Sequence, residues 1–400
     1  MYRPGGGEAW ASPWQMYADL RDHDPVHHVV PEGRPDHEST ARDYYVLSRH
    51  ADVMAAAIDT ATYSSAQGLT VEYGELEKIG LVDNPPMVML DPPDHTAFRK
   101  LVSRGFTPRA VREVEPGVRA YAASRLDAFV ARGEGDIVAE LFKPLPSLVV
   151  AHYLGVPEAD RDRFDAWTDA IVAASSSGAV TSASDATTAM LGYFSELIEG
   201  RRVDPGDDTV SHLVAAGVGD DDAGLLSILA YVFTMVTGGN DTTTGNLGGA
   251  VQLLARYPDQ RAELVADPSL IPDAIEEFLR LTSPVQALAR TTTCDVEVHG
   301  VTIPAGRKVL LCYAAANRDP RQYGDDADLL DIHRRPGRIL TFSQGSHHCI
   351  GASAARMQAR VALEELLARI GSYTLDEAAV TWASGPYVRR PLTMPIAVAR

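Results

Sequence analysis

Thr341-Phe342-Ser343-Gln344-Gly345-Ser346-His347-His348-Cys349-Ile350-Gly351 sets one cysteine in a loop bracketed by glycines, with an apolar helical pattern directly behind it. From Ile350 to about Ile370 (IGASAARMQARVALEELLARI) apolar residues recur at spacings of three and four, the signature of an amphipathic helix. Cys349 therefore falls at the N-terminus of that predicted helix. Unpaired N–H groups and the positive end of the macrodipole there favour a thiolate. Gly345 and Gly351 let the backbone fold close around the sulfur. A thiolate open on one side is a ligand for a soft metal centre. Two plainer readings fit the same residues. A lone cysteine is often a small buried hydrophobe, and His347-His348-Cys349 is half of a conceivable zinc site, although Cys294 and Cys312 form no CxxC to complete one. Spacing alone leaves all three open.

Outward from the loop, LLSILAYVFTMVTGGNDTTTGNLGGAVQLLARY (Leu225–Tyr257) has the periodicity of one long helix. Its centre, Gly238-Gly239-Asn240-Asp241-Thr242, is unusual, since an interior glycine costs about 1 kcal/mol relative to alanine. The plain reading of such a centre is two helices with a break, Gly238-Gly239 ending one and Asp241 or Thr242 capping the second. Glu277 and Arg280 in AIEEFLRL stand three apart, a spacing that usually decorates an exposed helix.

Phe342, Gly345, His347, Cys349 and Gly351 reproduce F-x-x-G-x-H-x-C-x-G, and with that motif the chain resembles the cytochrome P450 family. Ser343 stands where the family usually has glycine, and Ala354-Ala355-Arg356 where Leu-Ala-Arg is common. The resemblance implies haem b (iron protoporphyrin IX), with Cys349 as the axial ligand of its iron. It implies that Gly238 belongs to the oxygen groove of a helix crossing the haem, and that Asp241 and Thr242 are its acid–alcohol pair for proton delivery. Thr234 and Thr237 share the Gly238 face by helical spacing. Glu277, Arg280 and Arg334 become a structural set bracing the cysteine loop, and Asn317-Arg318-Asp319-Pro320 matches the family's N-R-D-P. His95 and Arg99 match H-x-x-x-R and, with Arg290 and His347, are expected at the haem propionates. Ile339 replaces a histidine found in many relatives. These motifs run in order along essentially the whole chain.

The 400 residues carry a formal charge of −18, which disfavours nucleic acid and anionic membrane as partners. Three cysteines without framework spacing argue for a reducing compartment. MYRPGGGEAWASPWQMYADL holds no apolar run suited to a signal peptide or membrane anchor, so a cytoplasmic protein is expected, as a monomer. Against the acidic background, Arg99, Lys100, Arg104, Arg109 and Arg112 lie between Thr96 and Arg112 with no Asp or Glu among them. Such a run is commonly a solvated helix face, yet its sign suits an acidic partner. The chain has no flavin motif and no Fe–S cysteine set, so the resemblance implies electrons from a ferredoxin and an NAD(P)H-dependent ferredoxin reductase.

The fold expected is mainly α with a smaller β region (α+β), as a single P450 domain over 1–400 with the haem between the oxygen-groove helix and the cysteine-loop helix. The β-rich parts fall at about 25–60, 291–335 and 371–400, the helical part at about 95–280 and 350–370. Residues 64–94 read as a long loop, and the small-residue stretch 173–187 as mobile. A substrate pocket is expected from Met89 in the 64–90 loop, the 165–195 lid, Thr234, Thr237, Val285, Leu288 and Val388. Being largely apolar, it suits a lipophilic molecule, and the short segment YSSAQG resembles P450s that act on sterols or branched lipids. The activity expected is insertion of one atom of O2, by hydroxylation or epoxidation, into a sterol, branched lipid, terpenoid or secondary metabolite. The alternatives are a peroxide-driven or non-hydroxylating P450, or a non-catalytic haem ligand-binding protein. Reduced protein given CO should show the strongly red-shifted Soret band of thiolate-ligated haem, and Cys349→Ala should abolish it. A band retained in that variant would exclude the assignment, because Cys294 and Cys312 lie in strand-like segments without a glycine loop.

Overall fold

The computed structural model describes residues 2–3, 5–30, 43–177 and 183–399. Helix α1 (Trp14–His23) leads into strands β1 (Val26–Val29) and β2 (Tyr44–Leu47), helix α2 (His50–Ile58) and the short strand β3 (Tyr63–Ser64). β2, of sequence YYVL, is buried at all four residues, which suits an aromatic and β-branched run between two neighbours. It pairs antiparallel with β1 and parallel with β5 (Lys308–Leu311), Tyr44 opposite Lys308 and Leu47 opposite Leu311. With β4 (Leu288–Thr292) the sheet order is β1-β2-β5-β4-β3. The turn signal at His299-Gly300 closes a hairpin of Val296–Val298 and Val301–Ile303, with φ of 51° and 77° at the two turn residues.

The helical part comprises α3 (Asp94–Val102), α4 (Pro108–Arg132), α5 (Pro144–Tyr153), α6 (Arg161–Ser177), α7 (Asp222–Arg256), α8 (Ile271–Thr282) and α9 (Ala352–Arg369), with shorter helices between. Local chemistry sets their ends. Thr107 accepts from the Ala110 N–H ahead of Pro108 at the first position of α4, and the Asp221 carboxylate accepts from the Gly224 N–H at the start of α7. α7 runs 35 residues without a break, so the two-helix reading of Gly238-Gly239 is excluded. Leu247, Val251 and Leu254 of α7 join Phe278 of α8, Leu126 and Phe129 of α4, and Leu363 and Leu366 of α9 in the main core. Each such buried side chain contributes about 1.5–3 kcal/mol. A second core unites α6, the helix Ser184–Val203 and the first half of α7 through Phe164, Phe194, Ile228 and Val232. α7 is long and apolar enough to cross a membrane, but from Thr243 to Gln252 it is buried throughout against protein.

Several expectations shift. The 64–94 loop contains one helical turn, Glu75–Ile79, set between Gly74 and Gly80, which both adopt the left-handed conformation. Strand character begins at Leu288 rather than 291, and 291–335 also holds the helical turns Tyr313–Ala316 and Pro320–Tyr323. Within the helical part a strand, Glu134–Asp136, pairs with the C-terminal strand Pro395–Val398. Its residues carry no alternation of their own, and only the distant partner makes them a strand. Residues 31–42 of the first β-rich part lie outside the described residues, as do 178–182 at the centre of the 173–187 stretch, whose flanks are helical.

The glycines of α7 divide by what surrounds them. A Cβ at Gly249 would run into the Thr282 side chain of α8, whereas one at Gly238 would meet nothing within 4 Å. Gly249→Ala should therefore destabilise the protein, since overpacking costs about 1–3 kcal/mol against a helix-propensity gain of about 1 kcal/mol. Gly238→Ala should leave stability unchanged or raise it. Chemical unfolding of the two variants checks this, and equal effects would refute it.

Candidate active site

Between the middle of α7 and the cysteine loop lies a cavity of about 310 Å³. The loop is a closed ring of backbone bonds: Cys349 N–H donates to Phe342 O at 2.8 Å, His348 N–H to Gly345 O at 3.1 Å, and Ser343 N–H to Leu340 O at 2.9 Å. Gly345 has φ 69°, and a Cβ there would lie 3.0 Å from Ile58 Cα of α2, so conformation and space both require glycine. Ser343, where the family pattern has glycine, also adopts a left-handed φ of 56°, at a cost of about 1–2 kcal/mol for a residue with a Cβ. α9 begins later than the periodicity predicts, at Ala352 with Gly351 as its N-cap. The Cys349 carbonyl is instead taken up in the turn before it, accepting from Ala352 N–H at 3.3 Å.

That offset changes the reading of the thiol. Cys349 is open to the cavity but enclosed by protein otherwise. Burial pushes its pKa up, against the opposing pull of the Gly351 N–H, Arg99 and Arg356. The helix terminus therefore does not by itself lower the thiol's pKa; a bound metal cation would favour the thiolate there.

At one edge of the cavity four nitrogen-bearing side chains converge. The His95 and His347 rings lie 4.2 Å apart, tilted by 41°, with Arg99 beside them. Arg290, 2% exposed, donates to Ala289 O at 2.8 Å. Burial, then Arg290, His95 and Arg99, lower His347 to about 3. Burial, then Arg99, also lowers His95, whose buried Nδ1 has no protein partner. Among the described residues no carboxylate pairs with Arg99 or Arg290. Such a cluster calls for an anion, and the two propionates of a haem suit it.

Glu277 and Arg280 are fully buried, rather than decorating a surface, and join through two bonds of 2.7 Å, with Arg334 Nε at 3.1 Å from the same carboxylate. Asn317 donates to Thr341 Oγ1 at 2.9 Å and accepts from Leu340 N–H at 2.7 Å, so these residues meet at the entrance to the cysteine loop.

On α7, Gly238, Thr234 and Thr242 line the cavity, and the Thr242 hydroxyl donates to Gly238 O at 2.7 Å. Asp241 does not line it. One residue along the helix is about 100° around it, and the Asp241 carboxylate lies 2.7 Å from Arg390 Nε, with side-chain exposures of 11% and 5%. Sequence reasoning did not foresee Arg390; a basic pair, Arg389-Arg390, in an otherwise apolar tail was the available signal. Of the pocket residues expected, Val285 and Leu288 line the cavity and Met89, Thr237 and Val388 do not. The turn Met87–Met89 brings Met87 and Val88 to the wall instead. Thr237 sits on the shoulder of α7, bonded to Phe233 O at 2.9 Å, and Val388 backs Val285 through a β-bridge.

Comparison with known proteins agrees with this geometry. The family model for cytochrome P450 matches residues 208–371. Cytochrome P450 130 of Mycobacterium tuberculosis is 65% identical over 394 residues, covering 98% of this chain and 96% of that one. The vitamin D(3) 25-hydroxylase of Pseudonocardia autotrophica is 39% identical over 370 residues, covering 90% and 87%. The structure of cytochrome P450 CYP109Q5 from Chondromyces apiculatus superposes with a TM-score of 0.85 at 32% identity, covering 98% and 97%. With a cysteine loop, a glycine-bearing helix across from it and relatives matched along nearly its full length, the chain belongs to the cytochrome P450 family and is a haem-binding monooxygenase.

Proposed function

We propose that this monooxygenase inserts an oxygen atom into a C–H or C=C bond of a lipophilic small molecule, with electrons delivered by a ferredoxin and its NAD(P)H-dependent reductase. The observation that carries the substrate class is the cavity wall. Among the described residues no carboxylate or lysine lines it, and its cationic groups gather at the propionate edge, so a charged substrate finds no counter-ion over most of the surface. The Pseudonocardia relative, named for hydroxylating vitamin D(3), supports a lipophilic substrate. Three free cysteines support a reducing, cytoplasmic setting. A screen of lipophilic compounds read by the Soret band, followed by product analysis of the binders, tests this reading.

The haem supplies the oxidising chemistry when bound. Cys349 would hold its iron, and His95, Arg99, Arg290 and His347 would hold its propionates. Apolar side chains such as Val285 and Leu288 exclude water. Thr242 presents a hydroxyl to the cavity and Asp241 is the acid that replenishes its proton. Thr242→Ala should keep haem and substrate binding while diverting electrons to peroxide or water. Asp241→Asn should slow turnover by about 10²-fold, as expected for loss of a positioned proton donor. If Thr243→Ala uncouples the reaction and Thr242→Ala does not, these roles are misassigned.

The basic segment of α3 and α4 is weaker than its sequence suggests. Arg99 turns to the cavity, and Arg109 pairs at 2.8 Å with Glu113, one residue beyond the acid-free run. Lys100, Arg104 and Arg112 remain exposed. Lys100 shares α3 with His95 and Arg99, and Arg104 and Arg112 follow it in the next turn and in α4. An acidic ferredoxin docking there should be steered by charge and weakened by salt, over a Debye length of about 10 Å at 0.1 M. Reversing Arg104 and Arg112 to Glu should slow reduction by ferredoxin without changing haem content or substrate binding. A reduction rate insensitive to both salt and these reversals would place the docking surface elsewhere.

A further inference from the structure

Three of the chain's four tryptophans, Trp10, Trp14 and Trp382, meet one buried guanidinium, that of Arg389. Its carbon lies 5.2 Å from the Trp14 ring centroid and 3.9 Å from that of Trp382, and its Nε donates to Trp10 O at 2.6 Å. Arg318 packs over the same Trp14 ring at 3.7 Å. Burial, then the charges of Arg318 and Arg256, lower the pKa of Arg389. The aromatic faces offset an environment that disfavours the cation, and their attraction is strongest where water is excluded. Trp10 completes the arrangement from the other direction. Its Nε1 donates to Gly385 O at 3.0 Å, and Gly7 N–H donates to Ala383 O at 2.8 Å. The N-terminal segment is thereby fastened along the C-terminal tail.

That tail carries a piece of the cavity wall. α8 ends at Thr282 and β4 begins at Leu288, so the residues between have no helix or strand of their own. Two of them, Pro284 and Val285, nevertheless line the cavity. The tail holds them: Arg389 N–H donates to Pro284 O at 2.8 Å, Gln286 N–H to Tyr387 O at 2.8 Å, and Val388 bridges to Val285. On its far side the tail has no slack, since a Cβ on Gly245 of α7 would lie 2.6 Å from Arg389 O. α1 adds a direct tie, the Tyr17 hydroxyl donating to Gln286 Oε1 at 3.0 Å.

We infer that the N-terminal segment 5–17 sets the shape of this apolar wall, with Trp14 as a positioning residue that fixes Arg389 and, through it, Pro284 and Val285. The inference rests on the reading of the cavity as the site of a lipophilic molecule. Without the Trp14 ring Arg389 loses one of its aromatic faces, and the tail at 385–390 gains freedom. A bulky apolar ligand then loses the surface it packs against. A ligand small enough to reach the iron without touching the wall is indifferent to the change.

Two iron-ligating probes, imidazole and 4-phenylimidazole, titrated into the holoenzyme and read by the Soret band, test this. The parent should bind 4-phenylimidazole more tightly than imidazole. Trp14→Leu should cut that preference about tenfold, a size within reach of residues that touch no ligand. The loss should fall on 4-phenylimidazole alone, with imidazole binding and the CO-bound Soret band unchanged. Trp14→Phe, which keeps an aromatic face, should retain most of the preference. Amide hydrogen exchange read by mass spectrometry should quicken at 283–288 and 384–390 in Trp14→Leu and stay as in the parent along α9. Should Trp14→Leu fail to hold haem, Trp382→Leu, which removes the other ring beside Arg389, takes the same measurements. A haem-loaded variant that keeps the parent's preference refutes the inference and leaves the lipophilic site standing. A parent without any preference for 4-phenylimidazole overturns that reading of the cavity, and the inference with it.

Discussion

Glu277 has no exposure to solvent, and its two carboxylate oxygens are met by Nε and an Nη of Arg280 and by Nε of Arg334. A charge in that position has to be paired, because removing one partner of a buried ion pair costs about 3–5 kcal/mol, a large part of the 5–15 kcal/mol typical of a whole domain. The pairing reaches further than helix α8. The remaining guanidinium nitrogen of Arg280 donates to Asn317 O at 2.8 Å and to Ala327 O at 2.6 Å. Asn317 in turn fixes Leu340 and Thr341, where the cysteine loop begins. One buried carboxylate therefore determines where the chain enters the loop, and the ring of backbone bonds from Leu340 to Ala352 carries that position to Cys349.

The opposite wall is α7, and its chemistry is divided by helical angle. Gly238 and Thr242 face the cavity; Gly249 presses on α8; Asp241 turns to Arg390. Residues adjacent in sequence thereby serve different surroundings, which is why an acid and an alcohol next to each other do not share a compartment. The cavity's electrostatics are equally local. The chain has a formal charge of −18, yet His95, Arg99, Arg290 and His347 make one edge of the cavity an anion site, where burial lowers the pKa of both imidazoles. Net charge bears on encounters with other molecules, while this edge is decided by four side chains from three separate segments.

Much of this was legible in the order of residues. The periodicity of 225–257 and 350–370 gave the two helices that face each other, and the Val-x-Val alternation with His299-Gly300 gave a hairpin in place. Glycine at 345 could be inferred from its motif, and the structure adds why: a left-handed φ together with a backbone of α2 at 3.0 Å. Other features left no local trace. Glu134–Asp136 is a strand only because Pro395–Val398 lies beside it. Met87 and Val88 replace Met89 at the cavity because a tight turn follows Pro86. Arg109 counts less as a free cation because Glu113, one helical turn on, reaches it.

Periodicity, turn residues and cysteine-loop spacing are consequences of bonds between residues a few positions apart, so the sequence by itself determined the helices, the hairpin, the ligand loop and the family they resemble. Which face of α7 each polar residue presents to which neighbour depends on helices and tails brought together from distant parts of the chain. The tertiary structure alone decided that Asp241 meets Arg390, that Glu277 is buried rather than exposed, and that Cys349 lies ahead of its helix rather than at its cap. Burial and ion pairing are properties of packing, and no short stretch of sequence contains the partner it will pack against.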